Sequence, residues 1–379
     1  MKGGGMGGPL PPERRRVVYV VNYPIFFLSH RLELALRARE AGYRVSVITP
    51  VGEGVDRIKM AGLEWYEMRF DPGGMNPWRD LKTILDLVSI FLRLRPDVVH
   101  NVTVKPVLYG TFAARLAGVP RVINAISGLG YLFTGTRPLR RMLGVLLYRL
   151  LMRHPDMRVI LQNQEDISLF RHFRLAPERA LRLVRGSGVD VDRFSPRLRP
   201  QGAPIVMQVS RMVGDKGVRE FIGAARQVRL VRPDVRFLLV GPLYPDNPSA
   251  LSAEEVSAAE TEGVVEWLGP QDDIASLLSR ASIFCLPSYR EGLPKSLLEA
   301  AACGLPIITT NTSGCKEVVR DGENGLLVPV GDVGALTSAI ERLLDNPSLC
   351  RNMGAVARKD VVEKFSFDRI ASEQIALYS

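Results

Sequence analysis

Short runs of apolar, mostly β-branched residues alternate along the chain with longer stretches whose apolar positions fall three and four residues apart. In the first half, Val17–Val21, Arg44–Thr49, Val98–Asn101, Arg121–Ala125 and Arg158–Leu161 read as buried strands. Between them, Leu28–Ala41, Leu81–Leu94, Val107–Ala117 and Leu139–Arg153 carry the helical period. Strict alternation of this kind predicts an α/β architecture, a parallel sheet with helices on both faces.

The pattern then stops and restarts. Ser195 to Pro204 holds three prolines and a glycine among mostly polar residues, and proline removes backbone donors that helices and sheets both need. Beyond it, Ile205–Val209, Val235–Val240, Ile283–Leu286 and Pro306–Thr309 read as strands, with helices at Lys216–Val231, Ile274–Ser279, Pro294–Cys303 and Gly334–Leu344. The expected organisation is a flexible leader over 1–16, a domain over 17–195, a linker over 196–204 and a second domain over 205–379. The last helix is free to return to the first domain. Ligands of such sheets lie beyond the carboxyl ends of the strands, so two facing domains would enclose a cleft.

Composition removes several classes. No apolar run reaches the ~18–20 residues of a membrane span; the longest, near Met142–Tyr148, is interrupted by Arg149. The Gly/Pro-rich start, basic at Arg14–Arg16, has neither the apolar core of a signal peptide nor the look of a transit peptide. Four cysteines, Cys285, Cys303, Cys315 and Cys350, lie far apart with no C-x-x-C pair, which argues against a disulfide framework or zinc site and for a reducing cytoplasm.

Charge adds more. The net +10 is lopsided: residues 1–199 hold 32 Lys and Arg against 17 Asp and Glu, the remainder 18 against 23. Between Asp97 and Asp156 there is no acid at all, so the first half is built to meet something anionic.

Two segments of the second half carry candidate chemistry. Pro287 to Gly304 follows a buried strand, turns at Gly292, and has Pro294 where a first helical residue needs no N–H. The free N–H groups and positive dipole end of such a helix favour an anion. Glu291 before the helix and Glu299 within it suit sugar or ribose hydroxyls, with which a carboxylate makes charge-assisted hydrogen bonds. A capped surface helix carrying two Glu residues reads the same way. In Val209 to Gly217, Arg211 and Lys216 flank a turn containing Gly214, a forked and a point cation suited to a diphosphate; a solvated turn is the plain alternative. Neither G-x-x-x-x-G-K-[ST] nor G-x-G-x-x-G is present, which argues against a P-loop enzyme and a nicotinamide enzyme.

Taken together, Ser210-Arg211, Lys216-Gly217, Val240-Gly241, Trp267-Leu268-Gly269, the E-x7-E from Glu291 to Glu299, Gly304 to Ile308 and Glu317 to Pro329 resemble the family-four retaining glycosyltransferases of the GT-B fold, two Rossmann-like domains facing across a cleft. Phe26 to Arg31, Lys105-Pro106 and Ser127-Gly128-Leu129-Gly130-Tyr131 resemble the PglA-type N-acetylgalactosaminyltransferases, which act on undecaprenyl-diphosphate-linked sugars. The resemblance implies that Arg211 and Lys216 hold the diphosphate of a nucleotide sugar, where cations stabilise the departing charge. It implies that Glu299 binds the ribose, that Glu291 binds the donor sugar, and that Gly241 and the backbone of Gly292, Leu293, Pro294 and Lys295 lie at the donor. A UDP-linked sugar, an N-acetylhexosamine such as GalNAc, is then the co-substrate. No metal is expected, since the cations replace it. Retention goes with same-face attack assisted by the leaving phosphate, with Glu291 as nucleophile the lesser alternative.

On the acceptor side, Lys105, Ser127, Gly128 and Tyr131 are candidates, and Ser127 stands where many relatives carry His. His30, beside Ser29, is the candidate to meet the reacting sugars in its place. His100 reads better as a structural histidine, and His154 and His172 as surface residues. Arg137 to Arg153 is apolar over most of its circumference with cations at both ends, Arg140, Arg141, Arg149 and Arg153 among them. It suits the interface of an anionic leaflet, which places the chain peripherally on the inner face of the cell membrane. Nucleic acid is a poor rival, because the region lacks interleaved aromatics and any known binding module. Two other readings stay open at this point: a UDP-N-acetylglucosamine 2-epimerase on the same scaffold, and a catalytically silent scaffolding subunit.

Overall fold

The computed structural model describes residues 15–70, 77–126, 138–197, 202–245 and 247–379; at 138–141 and 143 it describes the backbone alone. The chain divides into two compact units, one running to Ser187 and taking in Ala371–Ser379, the other Gly188–Ile370. The first break therefore falls ahead of the proline-rich 196–204 stretch. Val189 bridges to Ser366, and Phe194 is buried in the second unit's core, which draws 188–195 away from the first domain expected to hold them.

The first unit holds seven strands, β1 (Arg16–Val21), β2 (Arg44–Thr49), β3 (Glu64–Glu67), β4 (Val98–Val102), β5 (Arg121–Ala125), β6 (Met157–Leu161) and β7 (Leu181–Leu183). They lie in the order β3-β2-β1-β4-β5-β6-β7, every pairing parallel. Val18, Val20 and Val99 pack into the core under helix Pro77–Leu94. In the β1–β4 register Tyr19 pairs with His100, and both are fully buried. Tyr378, from the returning C-terminal residues, puts its hydroxyl 2.7 Å from that of Tyr19 and 2.8 Å from His100 Nδ1. The helix expected over Leu28–Ala41 is two: Pro24–His30 and Leu32–Glu40. Pro24 starts a turn earlier than Leu28, and Arg31, at φ −132°, separates the two.

The second unit repeats the scheme with β8 (Ile205–Val209), β9 (Arg236–Val240), β10 (Glu266–Trp267), β11 (Ile283–Leu286), β12 (Ile307–Thr310) and β13 (Gly325–Val328). Their order is β10-β9-β8-β11-β12-β13, again all parallel. Neighbouring residues of one strand serve opposite faces. Met207, Phe284 and Leu286 pack with Leu297 and Phe365 on one side. Val206, Cys285 and Ile308 pack with Phe221 and Phe237 on the other. Each such aromatic or aliphatic side chain contributes about 1.5–3 kcal/mol by burial, and covering both faces is what confines an all-parallel sheet to this architecture. The order of strand addition reverses between β8 and β11, from β9 and β10 on one side to β11, β12 and β13 on the other, so the carboxyl ends of these two parallel strands flank the switch point.

Candidate active site of the second unit

Both cation- and carboxylate-bearing loops leave the sheet at that switch point, residues 210–217 from β8 and 287–294 from β11. Their backbones touch. Tyr289 N–H donates to Asp215 O at 2.9 Å, and Gly217, at φ +68°, lies so close that a Cβ there would sit 2.0 Å from Pro287 O. Gly241, at the end of β9, has φ +138°, and a Cβ there would sit 1.9 Å from Ser210 O. Only glycine meets both demands. Gln208, fully buried in β8, donates through Nε2 to Ser210 Oγ at 3.0 Å and Lys216 O at 2.9 Å, tying the two ends of the first loop together.

On this frame the charged groups meet. Lys216, the last residue of a 3₁₀ turn over Gly214–Lys216, sets its Nζ 2.5 Å from Glu291 Oε1. The same oxygen accepts Ser288 Oγ–H at 2.8 Å. Glu291's side chain is 8% exposed and that of Lys216 21%, so the carboxylate is nearly enclosed and the lysine is partly open to solvent. Ser288 is buried, and Thr310 Oγ1–H donates to its carbonyl. Arg211 is exposed, its guanidinium 4.6 Å from the ring centre of Tyr244, a cation–π contact. Helix Lys295–Ala302 begins after Pro294, which stands one place earlier than a first helical residue, as N-cap with ψ 118°. Glu299 lies in that helix with 13% of its side chain exposed and Lys295 Nζ 3.9 Å away, one turn earlier. Leu293 is packed in the core, so its backbone alone is available to a ligand.

The other candidates lie in the first unit. His30 ends helix Pro24–His30, its Nδ1 2.7 Å from Ser29 Oγ and its ring stacked on Phe26 at 4.3 Å. Lys105 faces a carboxylate, Asp80, at 3.4 Å. Ser127, Gly128 and Tyr131 lie outside the described residues, as do the side chains of Arg140 and Arg141 in helix Pro138–Leu151. Arg149 donates to Phe173 O at 2.8 Å and Arg153 to Arg149 O at 2.8 Å. His100 is buried, and desolvation, helped by the charge of Arg31, holds its pKa well below the usual range. His154 is half-buried, 2.9 Å from Val119 O, with its pKa lowered chiefly by burial; it is not the surface residue that sequence suggests.

Comparison with known proteins settles the family. Residues 191–360 match the family described as glycosyl transferases group 1, and residues 16–163 match glycosyl transferase 4-like. The chain belongs to these glycosyltransferases. It is 28% identical over 93% of its length, and 98% of the relative's, to a Campylobacter jejuni N,N'-diacetylbacillosaminyl-diphospho-undecaprenol alpha-1,3-N-acetylgalactosaminyltransferase. It is 25% identical over 78% of its length, and 81% of the relative's, to an Escherichia coli UDP-Gal:alpha-D-GlcNAc-diphosphoundecaprenol alpha-1,3-galactosyltransferase. In fold it matches Anabaena HepE, solved in complex with UDP and glucose, with a TM-score of 0.78, 18% identity and coverage of 96% and 98% of the two chains. The fold is GT-B, and the chain is a nucleotide-sugar-dependent transferase.

Several residues of this glycosyltransferase's candidate site leave little sign in the sequence. Gln208, Ser288 and Thr310 read as ordinary strand and loop residues. Gly314 is another: a Cβ there would lie 2.6 Å from Glu291 O and 2.4 Å from Gly292 O, so its helix closes against the carboxylate loop. Cys315 beside it is buried, and burial followed by the Glu291 charge lifts its thiol to about 11. It therefore stays protonated and is a poor nucleophile. Among the described residues no group of three His, Cys, Asp or Glu side chains is arranged to hold a metal, and no helix is long and apolar enough to cross a membrane.

Proposed function

We propose that this glycosyltransferase moves an N-acetylhexosamine, such as N-acetylgalactosamine, from its UDP form onto an undecaprenyl-diphosphate-linked saccharide, with retention of anomeric configuration, in surface glycan or glycoprotein assembly. The observation that carries the reading is the Lys216–Glu291 pair at the β8–β11 switch point. A carboxylate that is nearly buried fixes an ammonium that is not, and Arg211 stands on the same loop. When the sugar–phosphate bond breaks, negative charge grows on the diphosphate, and cations held in place beforehand stabilise it without reorganisation.

In this reading Lys216 and Arg211 hold the diphosphate, and the backbone N–H groups of Gly292, Leu293 and Lys295 face the same anion. Glu299 accepts from the ribose hydroxyls. Glu291 keeps Lys216 on Oε1 and turns Oε2 to hydroxyls of the donor sugar. The acceptor hydroxyl attacks on the face the diphosphate leaves, giving its proton to a departing phosphate oxygen, so no protein nucleophile and no metal are needed. His30, with Lys105, Ser127, Gly128 and Tyr131, serves the acceptor. The activities for which the Campylobacter and Escherichia relatives are named support the acceptor class, and such an acceptor puts the work at a membrane surface, here its inner face.

The test is radiolabelled transfer from UDP-GalNAc, UDP-GlcNAc and UDP-galactose to undecaprenyl-diphosphate-linked saccharides, with and without a chelator, the product's anomeric carbon read by NMR. UDP-GalNAc should give an α-linked, chelator-insensitive product. Transfer to soluble acceptors alone would overturn the acceptor class, and an inverted product the mechanism.

A further inference from the structure

Helices Val104–Leu116, Pro138–Leu151 and Gln164–His172 of the first unit carry Arg115, Arg149 and Arg171 in their last turns. Their ends contribute to one cavity of about 860 Å³, whose charged lining is Arg115, Arg149, Arg153, Arg171, Arg174 and Glu178. Arg171 binds Glu178 through both Nε and Nη2. Arg149 and Arg153 each cap a carbonyl at a helix end, where the partial negative charge is only about half an electron per helix. Among the described residues none of Arg115, Arg149, Arg153 and Arg174 has a carboxylate within ion-pair distance; the neighbouring Asp156 is taken by Arg121 and Arg158. The cavity keeps a surplus of fixed positive charge.

An apolar track runs up to it. On helix Pro138–Leu151, Met142, Leu146 and Leu150 are 65%, 51% and 47% exposed. Spaced by four, they share one face; Arg149, seven residues after Met142, lies on the same face and lines the cavity together with Arg153, which follows the helix. Tyr148 and Met152, on the opposite side, are buried in the core. Leu116, at the end of the neighbouring helix, is 55% exposed as well. Packing explains the buried side of the helix and not the exposed one.

We propose that this cavity is a headgroup site for an anionic phospholipid. The phosphate sits among Arg115, Arg149, Arg153 and Arg174, and the acyl chains lie along Leu150, Leu146 and Met142. Phosphate recruits guanidinium forks, and apolar residues beside cations suit the boundary between headgroups and chains. The cavity is lined by Met152–Pro155 and Arg174–Glu178, which precede β6 and β7, so it lies at the amino ends of the strands. That is the end away from where such sheets take their ligands, and the site is separate from the transfer machinery. The inference rests on the proposed function in one respect only, that the chain works at a membrane.

The experiment is co-sedimentation of the full chain with phosphatidylcholine vesicles, with and without phosphatidylglycerol. Each arginine near an anionic surface is worth about fivefold in partition, so Arg115→Gln/Arg153→Gln/Arg174→Gln should bind the anionic vesicles about a hundredfold more weakly. Arg57→Gln/Arg280→Gln/Arg342→Gln removes the same charge elsewhere and should bind within about threefold of the parent. Leu146→Gln/Leu150→Gln should weaken binding at high as well as low salt. Melting temperatures check that each variant is folded. Equal losses in the two triple variants would reduce the effect to net charge and overturn the site, as would equal binding to both vesicle types. Displacement by inorganic diphosphate would make it a site for soluble phosphates, and tighter binding of a short DNA duplex would make it a nucleic-acid site; either result overturns the proposal. Failure of sugar transfer, with these binding results intact, would count against the proposed function and not against this site.

Discussion

Glu291 and Lys216, 75 residues apart in the chain, meet at 2.5 Å because β8 and β11 are neighbours in the sheet. Glu291 Oε1 also takes the Ser288 hydroxyl at 2.8 Å, so one oxygen receives both donors. The exposed side of the ammonium is thereby aimed by groups that solvent cannot disturb. Removing the lysine would leave a nearly buried carboxylate without its cation, a cost on the order of 3 kcal/mol where burial is complete.

Lys216→Ala should lower kcat by about 10²–10³ fold, the usual loss when one fixed donor to a developing anion is removed. The fold should survive, since Lys216 sits in a turn with its side chain 21% exposed. Steady-state transfer kinetics and circular dichroism check this; turnover near the parent's would contradict the diphosphate assignment.

Glu291→Gln should behave as part of the same unit. If the carboxylate works partly by holding Lys216, the double variant Glu291→Gln/Lys216→Ala loses less than the product of the two single losses. A shared ion pair of this kind gives coupling of about 0.5–3 kcal/mol. A double-mutant cycle on kcat/KM measures it, and strict additivity would mean that the two side chains act independently.

Gly217→Ala and Gly263→Ala form a matched pair. Both positions are left-handed, at φ +68° and +70°, so both substitutions carry the same backbone strain of roughly 1–2 kcal/mol. A Cβ at Gly263 meets nothing within 4 Å, whereas one at Gly217 meets Pro287 O at 2.0 Å. Gly217→Ala should therefore be the more destabilising, by at least about 1 kcal/mol, and should alone weaken UDP binding. Urea titration and isothermal calorimetry read the two effects; equal values for the pair would deny the loop contact.

The strands whose periodicity shows in the sequence are the interior ones. Each of the four that it hides is an edge: β3 and β7 in the first sheet, β10 and β13 in the second. An edge strand has one neighbour, and in β3, β7 and β10 the residues follow no clean apolar rule; β13 is apolar throughout but is four residues long and opens on Gly325, a residue type that reads as a turn. Glu64-Trp65-Tyr66-Glu67 is half-buried throughout its first three positions, and β10 has two residues. The site divides in a similar way. Glycines and prolines announced both loops, because a turn needs particular backbone angles wherever it folds. The contacts of Glu291 with Lys216, and of Arg211 with Tyr244, depend on which strands lie side by side and on which way loops lean, and no local pattern encodes either.

His100 gives the molecule a pH dependence whose sign follows from its surroundings. It is buried between Tyr19 and Tyr378 with the buried Arg31 nearby, and its pKa lies well below the ordinary value. The unfolded chain takes up a proton near about pH 6.5 while the folded chain refuses it, so the unfolded state binds more protons and stability rises with pH across that window. Stability is therefore full above about pH 6.5 and falls as pH drops below it, by at most about 1.4 kcal/mol per pH unit for this one residue. His154, also depressed, adds in the same direction. The depressed carboxylates Glu64, Asp156 and Asp360 add theirs only below about pH 4.5. Urea titrations from about pH 8 to about pH 5 should show the midpoint falling with an unchanged m-value. His100→Asn, which can still accept from Tyr378, should flatten that fall, leaving the part due to His154. Parallel curves for the parent and His100→Asn would show that the buried ring takes no part in the linkage.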